Sequence, residues 1–195
     1  MDKKLVADFF DSLAESWDAD MIKDEAKINN ILDCAGITEG LDILDVACGT
    51  GVLVSDYLKR NIANYTGIDI SEKMIEIAEN KYGKNDIVSF ICADAEKFVF
   101  NKTFDRIVIY NAFPHFADRN LLFENLSEHL KCGGRITIAH GMGRNALIRH
   151  HSGIAKEVSM VLPETDELSE IMKPFFEVDI TLSTDEIYIV SGRKK

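Results

Sequence analysis

Three aspartates, Asp45, Asp69 and Asp94, stand 24 and 25 residues apart, and the first leads into the glycine pair of Ala47-Cys48-Gly49-Thr50-Gly51. Glycines at that spacing let a backbone turn sharply and approach a ligand, because no Cβ is in the way. A carboxylate just before such a turn would repel a pyrophosphate and attract an ammonium group. The loop therefore suits a ligand with an amino-acid moiety better than one with two phosphates. A dinucleotide fingerprint would also place a third small residue three positions after Gly51, where this chain has Val54, so a nicotinamide-dependent oxidoreductase is disfavoured. Asp69 can accept hydrogen bonds from both hydroxyls of a ribose, and Asp94 from an exocyclic amine such as that of adenine. Each acid could instead cap a helix or a turn, but three at successive strand ends favour a ligand.

A second group of reactive side chains follows. His115, His140, His150 and His151 fall at or just beyond the ends of the fourth and fifth predicted strands, leaving only His129 elsewhere. His115 and His140 are the candidate catalytic residues, either one able to act as a general base. With His151 they could also supply three nitrogens to a divalent metal with one position open. Adjacent helical residues point about 100° apart, so His150 and His151 cannot both serve one site. His150 joins Trp17, Phe113, Phe116 and Met142 as candidates for an acceptor pocket, and Trp17 is placed in a break between helices.

The elements that must position these groups alternate along the chain. Apolar residues recur at helical spacing from Leu5 to Trp17, and a second helix spans about Asp24 to Ala35. Strands are expected at Leu41–Val46, Tyr65–Ile70, Ile87–Cys92, Phe104–Tyr110 and Arg135–Ala139. The helices between them are expected at Gly51–Asn61, Ser71–Tyr82 and about Arg119–Leu130, with a further helical stretch over Met160–Lys173. Strand–helix alternation implies a parallel sheet covered on both faces. Phe176–Leu182 and Glu186–Ser191 are separated by Ser183-Thr184-Asp185 alone, too short for a parallel crossover, so they form an antiparallel hairpin. The fold class is α/β: a Rossmann-like, doubly wound, mostly parallel seven-stranded sheet with helices on both faces and a C-terminal hairpin. In such sheets ligands bind beyond the carboxyl ends of the strands. One domain over 1–195 is expected, with a helical lid (1–36), a cofactor-binding core (41–139) and acceptor-side helices with the hairpin (140–195).

Composition narrows the partners. The 195 residues are 46% hydrophobic, ordinary for a folded chain, and include no apolar run of membrane-spanning length. A net charge of −11 without a basic stripe argues against nucleic acid as partner. Cys34, Cys48, Cys92 and Cys132 form no Cys-x-x-Cys pair, which suggests reduced thiols and a cytoplasmic setting. The partner expected is a small molecule.

Taken together, Leu44-Asp45-Val46-Ala47-Cys48-Gly49-Thr50-Gly51, Gly67-Ile68-Asp69-Ile70-Ser71 with Met74, Ala93-Asp94-Ala95, Phe104-Asp105-Arg106-Ile107-Val108 and Leu130-Lys131-Cys132-Gly133-Gly134-Arg135 resemble the class I S-adenosylmethionine-dependent methyltransferases. The start of the chain, Phe9-Phe10-Asp11-Ser12-Leu13-Ala14 with Trp17-Asp18, is similar to the lid of many small-molecule members. The resemblance covers about residues 5–140. It implies S-adenosylmethionine as cofactor, S-adenosylhomocysteine as product and a small-molecule methyl acceptor. Ala47, Gly49 and Gly51 would pass under the methionine part, with Asp45 near its ammonium. Asp69 would hold the ribose hydroxyls, Asp94 and Ala95 would contact the adenine, Ile70 and Met74 would also bind the cofactor, and Asn111 would lie near the reacting methyl. Two departures from the pattern are Ala47 in place of the first glycine and Cys132 in place of proline.

Overall fold

β1 (Asp42–Val46) is built from residues buried on both faces. Ile43 packs among Ile28, Leu32 and Tyr57 on one side, while Leu44 and Val46 join Phe123 and Met172 on the other. A strand covered twice reads as a continuous apolar run, and Asp45 is the exception within it. The computed structural model describes residues 1–21, 23–151 and 155–195.

The other strands are β2 (Asn64–Asp69), β3 (Val88–Cys92), β4 (Phe104–Tyr110), β5 (Leu130–His140), β6 (Phe176–Ser183) and β7 (Tyr188–Lys194). They form one seven-stranded sheet in the order β3-β2-β1-β4-β5-β7-β6. β1 to β5 pair in parallel, whereas β7 runs antiparallel to both β5 and β6. The strand order reverses between β1 and β4, and the Asp45 and Tyr110 ends meet there.

The helices are α1 (Lys3–Asp20), α2 (Glu25–Cys34), α3 (Val54–Leu58), α4 (Glu72–Tyr82), α5 (Arg119–Glu128), α6 (Arg144–His151) and α7 (Thr165–Met172). Local chemistry sets their starts. Asp2, Asp24, Ser71 and Asp118 each accept a backbone N–H of the first turn of α1, α2, α4 and α5. None of the helices among the described residues is long and apolar enough to cross a membrane.

Four boundaries depart from the sequence expectation for an evident local reason. α1 continues to Asp20, so Trp17 lies inside a helix and not in a break. The helix expected over Gly51–Asn61 shrinks to α3, because Gly51 and Asn61 take positive φ angles of 79° and 54° that end helical geometry on either side. β5 begins at Leu130, ahead of Gly133-Gly134, with a register shift against β4 between Phe104 and Arg106 absorbing the irregularity. α7 starts only at Thr165, after Pro163, with Glu164 and Glu167 forming a reciprocal cap.

Candidate functional site

A cavity of about 700 Å³ opens at the carboxyl ends of β1, β2 and β4, beneath α1. Val6, Phe9, Phe10, Leu13 and Trp17 line it from above. Their spacing puts them on one face of α1, which is why a helix with so many acids can still roof an apolar space. Polar ties hold that roof down. Asp11 accepts from the Ser71 hydroxyl and the Lys73 N–H at the start of α4. Asp18 accepts from the buried Thr50 hydroxyl at 2.6 Å and from Lys81 Nζ at 2.8 Å. Lys3 reaches Glu96 at 2.5 Å and Asp94 at 3.4 Å.

The floor comes from the glycine loop. Ala47 and Gly49 take positive φ angles of 56° and 54°, and both line the cavity. A Cβ on Gly49 would meet only Trp17 Nε1 within 4 Å, at 3.9 Å, so this glycine leaves open space for a ligand. Gly51 does not line the cavity; a Cβ there would lie 3.1 Å from the Tyr82 ring, so its absence admits α4. Trp17, expected at the acceptor, sits over the glycine loop instead.

The three aspartates converge on this cavity. Asp45 is 2% exposed and takes a hydrogen bond from the Tyr65 hydroxyl at 3.0 Å. Burial pushes its pKa up to about 7; the Tyr65 bond opposes that rise and the charge of Asp69 adds to it. Asp69 accepts from Gly49 N–H at 2.8 Å on one oxygen and from Ser71 N–H at 2.9 Å on the other, which ties the second strand end to the glycine loop. Each oxygen keeps a second lone pair for a ligand hydroxyl. Burial raises the Asp69 pKa, against those backbone bonds. Asp94 lines the cavity with one oxygen taking the Glu96 N–H at 3.1 Å. Ile70, Met74 and Ala95 line the same wall.

Asn111 marks the other end. Its φ of 55° is a left-handed conformation that asparagine tolerates. Its Oδ1 accepts from Gly141 N–H at 2.9 Å, joining the ends of β4 and β5. His115 occupies a one-turn 3-10 helix, Phe113–His115, and lines the cavity with its ring edge-on to Phe10 at 4.9 Å. Its Nδ1 lies 2.8 Å from the Val158 carbonyl. A carbonyl can only accept, so Nδ1 carries the proton and the lone pair is on Nε2. Burial lowers the His115 pKa, against that bond, so the ring is neutral at pH 7.

Several expected groupings do not form. His140 is fully buried with its ring 6.0 Å from Tyr188 and does not line the cavity, because it shares the strand side of Ile136 and Ile138. Phe113, expected at the acceptor, is stacked on Phe123 in the core. Phe116 and Met142 do line the cavity. The side chains of His150 and His151 lie outside the described residues. Among the described residues no group of three or more His, Cys, Asp or Glu could hold a metal; of the set expected to do so, His115 lines the cavity, His140 does not, and the His151 side chain lies outside the described residues. Sequence reasoning also passes over Lys3 and Tyr110, both of which line the cavity. Tyr110 carried a usable signal as the last residue of its strand, next to Asn111; Lys3 carried none.

Comparison with known proteins finds methyltransferases. The profile of the methyltransferase domain family matches residues 43–134. A malonyl-[acyl-carrier protein] O-methyltransferase of Acetivibrio thermocellus is 34% identical over 137 residues, covering 69% of this chain and 48% of that protein. The ubiquinone/menaquinone biosynthesis C-methyltransferase UbiE of Idiomarina loihiensis is 31% identical over 147 residues, 70% of this chain and 59% of that protein. The chain thus spans about half the length of these relatives. In fold it is similar to the N-methyltransferase NodS of Bradyrhizobium japonicum in complex with S-adenosylhomocysteine, with a TM-score of 0.77, 13% identity and coverage of 97% and 98% of the two chains.

Proposed function

We propose that this chain, whose residues 43–134 match the methyltransferase domain family, is a class I S-adenosylmethionine-dependent methyltransferase that methylates a small-molecule acceptor held in the cavity beneath α1. What carries the reading is the convergence of Asp45, Asp69 and Asp94 on one cavity whose floor, at Gly49, has no side chain. Asp45 suits an ammonium, the Asp69 oxygens two ribose hydroxyls and Asp94 an exocyclic amine. S-adenosylmethionine supplies a methyl group already activated on a sulfonium, and S-adenosylhomocysteine is the product.

The remaining task of the protein is alignment and proton removal. Asn111 and His115 stand at the acceptor end, with Phe10, Met142 and Leu147 giving that end an apolar wall, while Phe116 lies under the Lys3 ammonium that contacts Asp94. The relatives named above act on different atoms, so the acceptor has to be argued from the cavity. Neutral His115, with its lone pair on Nε2, suits an acceptor that gives up a proton, such as a hydroxyl, an amine or an activated carbon. Among the described residues no arginine lines the cavity, and its lysines, Lys3 and Lys27, are already paired with Glu96 and Asp24. His115 Nε2 takes the acceptor's proton as the new bond forms, then returns it to water.

The test is calorimetric titration of EDTA-treated protein with S-adenosylhomocysteine, wild type beside Asp69→Ala. Binding that weakens by about 1–3 kcal/mol in the variant, the scale of a lost hydrogen-bonded partner, supports the reading. Failure of the wild type to bind would overturn it.

A further inference from the structure

Asp45 is a carboxylate buried inside a sheet, and the way it is held has a specific cause. In the β1–β2 register Asp45 lies directly opposite Gly67, and Tyr65 is two residues earlier on the same face of β2. Diagonal neighbours of this kind are within reach of a long aromatic side chain only if the directly opposed position leaves room. Gly67 leaves that room. A Cβ on it would stand 2.9 Å from Tyr65 Oη and 2.7 Å from Cys48 Sγ. The Tyr65 ring is fixed from both sides, by Tyr57 at 5.6 Å and Phe90 at 5.7 Å. Its hydroxyl therefore meets Asp45 Oδ2 from a set direction, at 3.0 Å.

The other titratable groups facing Asp45 are Asp69 from β2, Cys48 from the glycine loop and Tyr57 from α3. None of these offers the carboxylate a positive charge. The Asp69 charge opposes ionisation of Asp45, whereas the Tyr65 bond favours it. Burial holds the proton on Tyr65, so the hydroxyl remains a donor.

We infer that Tyr65 is a positioning residue of the cofactor site: its hydroxyl fixes one oxygen of Asp45 and keeps the carboxylate charged for the ligand's ammonium, and Gly67 is what lets it reach. This inference rests on Asp45 receiving that ammonium. It extends the site to a residue that does not itself line the cavity.

Tyr65→Phe removes the hydroxyl and keeps the ring. Two probes are titrated by calorimetry between pH 6 and pH 8.5: S-adenosylhomocysteine, and 5′-methylthioadenosine, which has the adenosine and thioether without the amino-acid end. In the variant, affinity for S-adenosylhomocysteine falls about tenfold at pH 7, the scale of a hydrogen bond to a charged group. The deficit narrows toward pH 8.5, where Asp45 ionises without help. Binding of 5′-methylthioadenosine stays within about twofold of wild type. Equal losses for both probes would mean that Tyr65 only supports the fold, and unchanged affinity for both would mean that it does nothing for the site; either overturns the inference. A deficit of the same size at pH 6 and pH 8.5 would overturn the charge-holding role. Asp45→Asn tests the premise separately. If that variant fails to weaken S-adenosylhomocysteine more than 5′-methylthioadenosine, the ammonium is not on Asp45.

Discussion

Replacing Asp45 by asparagine should stabilise the ligand-free protein and cripple cofactor binding, both as functions of pH. The carboxyl is buried with a pKa of about 7, against an ordinary value of 3.8. An acid whose pKa is raised on folding costs stability as pH rises from its unfolded to its folded value, because the folded state holds a proton that the unfolded state releases. A rise of about three units corresponds to about 4 kcal/mol once both forms are ionised. More than a third of this is already present at pH 5, so about 2–3 kcal/mol develops between pH 5 and pH 8. Asp18, Asp42 and Asp179, whose pKa values are lowered, oppose the trend in both proteins and cancel in the comparison. Urea unfolding without ligand at the two pH values should therefore show Asp45→Asn gaining about 2–3 kcal/mol on wild type at pH 8 relative to pH 5. S-adenosylhomocysteine behaves in the opposite way. Wild-type affinity rises with pH up to about 7 as the carboxylate ionises, and the variant loses that dependence together with about tenfold or more in affinity at pH 8. A stability difference that is the same at both pH values, or wild-type binding indifferent to pH, would refute the reasoning.

Other expected outcomes concern the lid, the loop and the base. His115→Gln should lower kcat/KM by about 10²–10⁴ while S-adenosylhomocysteine affinity stays level; a loss of affinity with kcat intact would place His115 in ligand binding instead. With its pKa lowered by burial, the wild-type base should stay active down to pH 6.5, and a pH–rate profile checks that. Ala47→Gly should leave stability unchanged or raise it by up to about 1 kcal/mol, since a non-glycine residue at positive φ is strained, and Ala47→Val should lower it by about 1–2 kcal/mol in thermal unfolding. Asp18→Ala should cost about 1–3 kcal/mol, mostly from stranding the buried Thr50 hydroxyl because the Lys81 pair is half exposed, and should speed S-adenosylhomocysteine dissociation several-fold by releasing α1 from Thr50. Stopped-flow dissociation rates equal to wild type would show that α1 does not gate the site.

The alternation of apolar runs and turn signals determined the parallel strands, the closing hairpin and the edge of the sheet at which chemistry would gather. Asp45, Asp69 and Asp94 were legible for the same reason: each lies within two residues of a strand's carboxyl end, and in a parallel sheet those ends come together whatever the intervening loops do. The glycine loop was legible because positive φ selects residue type locally. Side-chain direction was not legible. His115 and His140 both stand near strand ends, but one rides a 3-10 turn into the cavity while the other follows the alternation of β5 into the core beside Tyr188. A shift of one residue along a strand exchanges those fates, so spacing could gather the histidines on paper without gathering them in space. Phe113 and Trp17 were misplaced in the same way, one going to a stack on Phe123 and the other to the roof over Gly49. The hold of Tyr65 on Asp45 needed more still. It depends on which strands are neighbours, on their register, and on a glycine between them, and only the folded sheet brings these three together.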